Sequence, residues 1–339
     1  MVKALNPIPI ATRAVSFLLD RPGPYFLGMD VTMRCNCRCD FCNVWRNLQS
    51  QKEVEKESAS QVLMERRLEE AWEMGCRAVC FSGGEPLLYE NLGRLVSKAS
   101  DLGYYIMVIS NGIALTKLES WMRRIDSLAL SFTVGRETYE RTRGLPVYNL
   151  VKENIEKSIE YGLKVVLFDT ISVETLPHID ETAEFARELS VKLHIFSITE
   201  QPRMGFEAVN WTSQRPGNVY SEMERAKREW GRAIMFWRGG EAWLAGIVQN
   251  PGFRCRIAET TVIVKPDASV VLPCSAFPEF KSSSEESLID FWKGPHGVFA
   301  RLNCGKMRFC AGCAHQFCTY HASLMGQLYP TFQWLVDSI

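Results

Sequence analysis

From Pro24 onward, continuous apolar runs alternate with amphipathic ones. The apolar runs Tyr25–Val31, Ala78–Ser82, Tyr104–Ile109, Ser127–Phe132, Lys164–Ile171 and Lys192–Thr199 have the character of strands buried on both faces of a parallel sheet. Between them, Ala59–Met74, Leu92–Leu102, Leu115–Arg124, Val147–Tyr161 and Ile179–Leu189 carry apolar residues at helical spacing. Three of these helices run into Gly75, Gly103 and Gly162, the residue type that ends a helix in the left-handed conformation. Six strands with helices between them predict an α/β chain folded as a partial (β/α)6 TIM-like barrel. Six units are too few to close an eight-stranded one.

The alternation breaks at Phe206. Residues 206–250 hold Trp211, Trp230, Trp237 and Trp243 and one helix pattern over Tyr220–Met235, which suggests a linking region packed across the barrel mouth. Thr261–Lys265 and Ser269–Leu272 flank Pro266-Asp267-Ala268, a hairpin signal. Lys281–Glu286 reads as an exposed loop and Ser287–Trp292 as a short helix. The expected divisions are an extension at 1–24, the barrel at 25–205, the linking region at 206–250, a small α+β domain at 251–322 and a tail at 323–339. In the extension, Ile10–Leu19 is a short amphipathic helix pattern. Arg13, Asp20 and Arg21 are its only nearby charges, which favours packing on the body over peripheral membrane contact.

Composition narrows the classes. Lys plus Arg and Asp plus Glu are 39 each, so net charge does not steer the chain toward nucleic acid. No apolar run reaches the about 18–20 residues that span a bilayer, and no secretory signal is evident, so a cytoplasmic location is expected. Twelve cysteines in 339 residues are too few for a disulfide scaffold.

The candidate chemistry gathers after strands. Cys35, Cys39 and Cys42 follow the first, spaced C-x3-C-x2-C, with Cys37 also in the window. A structural zinc site closes its tetrahedron with four protein ligands, and no fourth ligand follows at finger spacing. A cubane iron–sulfur cluster normally takes four Cys, so three leave one iron open to a non-protein ligand. Gly83-Gly84-Glu85-Pro86 follows the second strand, Ser110-Asn111-Gly112 the third, and Ser131 and Thr133 the fourth. In parallel barrels, chemistry collects at that C-terminal end. Candidate acids and bases on or after strand ends are Asp169, Glu174, His194 and Glu200.

The cysteine loop after the first strand and the Gly-Gly-Glu-Pro segment after the second, in that order, resemble the radical S-adenosylmethionine superfamily over residues 25 to about 200. The resemblance implies a [4Fe–4S] cluster on Cys35, Cys39 and Cys42, whose open iron takes S-adenosylmethionine. It implies reductive cleavage to a 5′-deoxyadenosyl radical that abstracts a substrate hydrogen, with flavodoxin or ferredoxin as the electron donor. The implied cofactor-binding residues are Gly83, Gly84, Glu85, Pro86, Ser110, Asn111, Ser131 (beside the ribose) and Arg143 (on the carboxylate). Many relatives have Asp two residues after that Ser, where this chain has Thr133.

Cys255, Cys274, Cys310, Cys313 and Cys318, with Pro266-Asp267-Ala268 before Cys274, resemble the SPASM and twitch auxiliary-cluster domains. They imply one auxiliary [4Fe–4S] cluster on Cys255, Cys274, Cys310 and Cys313, with Cys318 in reserve and Cys304 a weaker candidate. A structural zinc on the same residues is the alternative reading. The substrate stays open among small molecules, peptides and isoprenoid lipids. A non-catalytic iron–sulfur electron carrier or a zinc-stabilised binding module is the rival from another class.

Overall fold

The computed structural model describes residues 23–42, 44–45, 60–197, 216–235, 257–274, 279–304 and 306–307. Seven strands follow one another as parallel neighbours: β1 Phe26–Thr32, β2 Ala78–Gly83, β3 Tyr105–Ser110, β4 Ser127–Ser131, β5 Val165–Ile171, β6 Lys192–Ser197 and β7 Ile234–Met235. The six predicted strands are β1 to β6, and β7 adds a seventh.

The hairpin strands complete the sheet at its other edge. β8 Thr261–Val264 pairs in parallel with β1, and β9 Val270–Leu272 and β10 Phe280–Lys281 follow antiparallel. The hairpin therefore lies in the same ten-stranded sheet as the barrel strands. In the expected exposed loop 281–286, Lys281 stays exposed while pairing with Val271, and Ser282 alone is buried, its hydroxyl accepting from Val270 N at 2.9 Å.

The helices are α1 Gln61–Glu73, α2 Leu92–Leu102, α3 Arg136–Arg143, α4 Tyr148–Glu160, α5 Ile179–Glu188, α6 Pro216–Trp230, α7 Ile257–Thr260, α8 Leu288–Lys293 and α9 Pro295–Asn303. Leu27, Met29, Val79, Phe81, Ile106 and Val108 are buried on one sheet face, against Met64, Leu68, Leu95 and Val96 of the helices. Their strand neighbours point to the opposite face, the inner face of the partial barrel.

Two elements differ from the sequence pattern. The helix expected over Leu115–Arg124 is only a 3-10 turn at Ser120–Arg124, whose buried Met122 joins the core beside Leu115. The apolar spacing there marks contacts with α2, where Trp121 lies so close to Gly93 that a Cβ would sit 2.9 Å from the indole. Conversely α3, with the sequence RETYERTR, buries only Tyr139, Thr142 and Arg143, so it shows no apolar stripe to read.

Helix ends follow the glycines. Gly75, Gly103 and Gly162 adopt φ of 104°, 97° and 87°. At the end of α5 the same position is Ser190, exposed at φ 57°, with Ser190 N donating to Arg187 O and Val191 N to Ala186 O. A left-handed residue with a Cβ costs about 1 kcal/mol. Ser190→Gly is expected to raise stability by about 0.5–1 kcal/mol, read as a higher thermal midpoint.

Arg67 of α1 locks the hairpin to the barrel. Fully buried, it donates from Nε to Ala268 O at 2.8 Å and from Nη2 to Ser284 O at 3.0 Å, and it pairs with Glu70 at 2.6 Å. Ala268 itself takes φ 61° at the hairpin turn.

Candidate cofactor site

Three loops at the C-terminal ends of β1, β2 and β3 meet through backbone and side-chain hydrogen bonds. Gly84 N donates to Thr32 O at 2.7 Å and Glu85 N to Arg34 O at 2.7 Å, seating the Gly-Gly-Glu-Pro segment against the start of the cysteine loop. The glycines are required by that contact. A Cβ on Gly83 would lie 2.3 Å from Thr32 O, and one on Gly84 would lie 2.2 Å from Arg34 O. Pro86 opens a 3-10 turn and is buried.

Glu85 is 1% exposed. Its carboxylate accepts from Ser110 Oγ at 2.8 Å, Asn111 N at 2.7 Å and Leu87 N at 3.0 Å. Burial raises its pKa, against the lowering effect of these three donors. Its oxygens tie the second loop to the third. Asn111 continues the chain of contacts, donating from Nδ2 to Asn36 Oδ1 at 2.7 Å and toward Cys35 Sγ at 4.0 Å.

The other side of the cysteine loop rests on the end of α3. Arg38 N donates to Arg143 O and Asp40 N to Thr142 O, each at 3.1 Å. The Arg143 side chain is buried, donates from Nη1 to Cys39 Sγ at 3.7 Å, and lies 5.2 Å over the Phe41 ring and 5.4 Å over the Tyr139 ring. The guanidinium, expected from the resemblance on a cofactor carboxylate, packs here against Cys39. Trp45 Nε1 also braces the loop, donating to Cys39 O at 2.8 Å.

The thiols divide into two kinds. A hydrogen bond from Cys37, assisted by the Arg143 charge, brings Cys39 down to about 6, and the Cys37 hydrogen bond also lowers Cys35. Cys37 is pushed up by holding the proton between those two neighbours. Cys42 is half-buried at the end of the loop, its N–H donating to Cys39 O at 3.1 Å. Among the described residues, no three Cys, His, Asp or Glu side chains converge as a site for a single metal ion.

Ser131 ends β4 half-buried on the inner face, and its carbonyl accepts from Tyr139 Oη at 3.2 Å. His194 is on the same face, edge-on to Phe168 at 5.0 Å, and burial drops its pKa to about 4, so it is neutral at pH 7. Asp169 is not at the cavity as expected. It shares a strand face with Leu167 and Ile171 in the core, where it accepts from Thr133 Oγ1. Glu174 is at the surface, paired with Arg141 at 3.0 Å. Glu200 lies outside the described residues.

Of the second cysteine set, Cys274 follows β9 and is buried, as is Cys304 after α9. Cys255, Cys310, Cys313 and Cys318 lie outside the described residues, as do Ile10–Leu19, Trp211, Trp237 and Trp243. Residues the sequence did not single out include Thr32, Asn36 and the Asp30–Ser82–Lys265 row. Only a known register would have revealed them.

The structure is thus a parallel partial barrel whose three-cysteine loop is hydrogen-bonded to a glycine turn at the C-terminal rim. The model of the Radical SAM superfamily matches residues 29–186, a match that points to a [4Fe–4S] cluster and S-adenosylmethionine. A curated relative, the probable GTP 3′,8-cyclase of Methanothermobacter marburgensis, is 29% identical over 178 residues, 51% of this chain and 57% of that protein. The chain thus spans little more than half the length of that relative. Streptococcus suis SuiB bound to S-adenosylmethionine has a similar fold, with a TM-score of 0.64 at 18% identity over 94% of this chain and 79% of SuiB. The structure called native anSMEcpe with bound AdoMet gives 0.60 at 14% identity, over 93% of this chain and 100% of that one.

Proposed function

We propose that this chain is an enzyme that binds a [4Fe–4S] cluster through Cys35, Cys39 and Cys42 and S-adenosylmethionine across the loops after β1 to β4. When bound, these cofactors supply reductive cleavage to a 5′-deoxyadenosyl radical, which takes a hydrogen atom from a substrate. The observation that carries the reading is the hydrogen-bonded junction of the three loops: Gly84 on Thr32, Glu85 on Ser110 and Asn111, and Asn111 on Asn36. Its effect is to fix the cysteine loop, the glycine turn and the Ser110–Asn111 turn as one unit.

In this reading each residue has a definite task. Gly83, Gly84 and Pro86 present backbone to the cofactor, Glu85 and Ser110 hold that backbone still, and Asn111 and Ser131 line the space beside it. Arg143 is a positioning residue: its guanidinium supports Cys39 from below. The partial barrel keeps the reaction on the inner face, where His194 stays uncharged.

Cys255, Cys274, Cys310 and Cys313, with Cys318 in reserve, would hold a second [4Fe–4S] cluster, which would supply an electron acceptor for an oxidation or crosslink. The resemblance of 251–322 to SPASM and twitch domains supports it. Reduction comes from a small electron-transfer protein of the flavodoxin or ferredoxin kind. The test is anaerobic reconstitution followed by S-adenosylmethionine and a strong reductant, with 5′-deoxyadenosine read by mass spectrometry. Its formation is expected; its absence from a sample with full iron content would sink the radical reading in favour of an electron carrier.

A further inference from the structure

The inner face of the sheet carries one row of paired charge away from the cysteine loop. Asp30 on β1 is in register with Ser82 on β2, and Ser82 Oγ donates to Asp30 Oδ1 at 2.9 Å. On the other side of β1, Val264 of β8 is in register with Met29, which sets Lys265 level with Asp30. Lys265 Nζ donates to Asp30 Oδ2 at 2.6 Å. The three residues alternate with Met29, Phe81 and Val264, all completely buried in the core, so the row points away from the helices and into the barrel.

A tether between hairpin and barrel does not account for this pair. β8 is already joined to β1 by four register pairs, Tyr25 N donates to Thr260 O at 2.9 Å, and Arg67 clamps the hairpin turn. Nor is the pair sealed: the side chains of Lys265 and Asp30 are 25% and 21% exposed. An ammonium has three donors. One goes to Asp30, and among the described residues no other acceptor takes the remaining two. Asp30, fixed through its other oxygen by Ser82, sets where Lys265 sits and leaves those two N–H groups toward the interior. Ser82 directly precedes Gly83 of the glycine turn, so the row lies beside the proposed reaction site.

We infer that Lys265 is a substrate anchor that takes an anionic oxygen group, a carboxylate or a phosphate, with Asp30 and Ser82 as its positioning residues. The inference rests on the barrel interior being the reaction site. It narrows the substrate to a polar molecule with an acidic group, against an uncharged isoprenoid.

The test needs no turnover. Thermal unfolding of the reconstituted protein is followed with sodium acetate or sodium phosphate, against sodium chloride at equal ionic strength. The midpoint is expected to rise beyond the chloride control with at least one probe: acetate alone identifies a carboxylate site, phosphate alone a phosphate site, and both a general anion site. Lys265→Met is expected to weaken that response about tenfold in probe concentration, and Lys265→Arg to keep most of it. Equal responses in the unaltered and Lys265→Met proteins, or no response beyond chloride in the unaltered one, overturn the anchor. Should Lys265→Met not fold, Ser82→Ala serves. It releases Asp30 Oδ1 while keeping the pair, and is expected to weaken the response by a smaller factor; an unchanged response overturns the inference. Because 5′-deoxyadenosine is measured separately on the unaltered chain, this proposal and the radical reading fail independently.

Discussion

Replacing Cys35, Cys39 and Cys42 together by alanine is expected to abolish 5′-deoxyadenosine formation and to lower iron from about eight to about four per reconstituted chain. The loss follows from the open coordination position: a cluster deprived of all its loop thiolates has nothing to hold it where the glycine turn and Asn111 converge. Cys37→Ala is the internal control. Cys37 lies outside the C-x3-C-x2-C spacing, so its removal is expected to leave the iron count unchanged. A triple variant that keeps full iron, or a Cys37→Ala variant that loses half, would show the ligand set to be misassigned. Iron analysis with the visible absorption of the clusters decides between these outcomes, and the residual iron reports the auxiliary site on its own.

The parallel strands and the cysteine loop were legible in the sequence for the same reason: each is local. An apolar run such as Val165–Ile171 announces a buried strand without reference to its neighbours, and a C-x3-C-x2-C loop needs no partner to be recognised. What stayed hidden depends on register and on contacts between distant elements. The sequence places Glu85 in a motif but cannot say that Ser110 and Asn111, 25 and 26 residues away, occupy its oxygens. It places Arg143 before a glycine but not beneath Cys39, a contact 104 residues apart in the chain. The hairpin was visible from Pro266-Asp267-Ala268. Its parallel pairing with β1, which brings Lys265 to Asp30, joins residues 235 positions apart and has no local signature.

Helix α3 makes the converse case. A charged octapeptide with one aromatic residue carries no apolar period, yet its last turn supports the cysteine loop through the carbonyls of Thr142 and Arg143. Its structure is set by what it holds, and Gly144 at φ 72° ends it where the chain turns back past Arg38.

Asp169→Asn is expected to stabilise the chain at neutral pH and to remove part of its pH dependence. Asp169 is fully buried, Thr133 donates to one of its oxygens, and the other has no hydrogen-bond partner among the described residues. Burial pushes its pKa from 3.8 up to about 7, with the Thr133 bond and the Arg143 charge pulling the other way. A carboxyl whose pKa is higher folded than unfolded binds its proton more tightly in the native state. Stability from this group is therefore complete below about pH 4 and falls as pH rises toward about 7, where the buried group must ionise. The difference of about three units corresponds to on the order of 4 kcal/mol between those limits. Asparagine keeps an acceptor for Thr133 and never ionises, so whatever its new amide costs is the same at every pH. Denaturant unfolding of the two proteins from pH 5 to 8 is expected to show the advantage of the variant growing with pH and levelling off above about 7. Parallel profiles would mean that Asp169 does not titrate in this range, and that its unpartnered oxygen finds a donor the fold supplies at every pH.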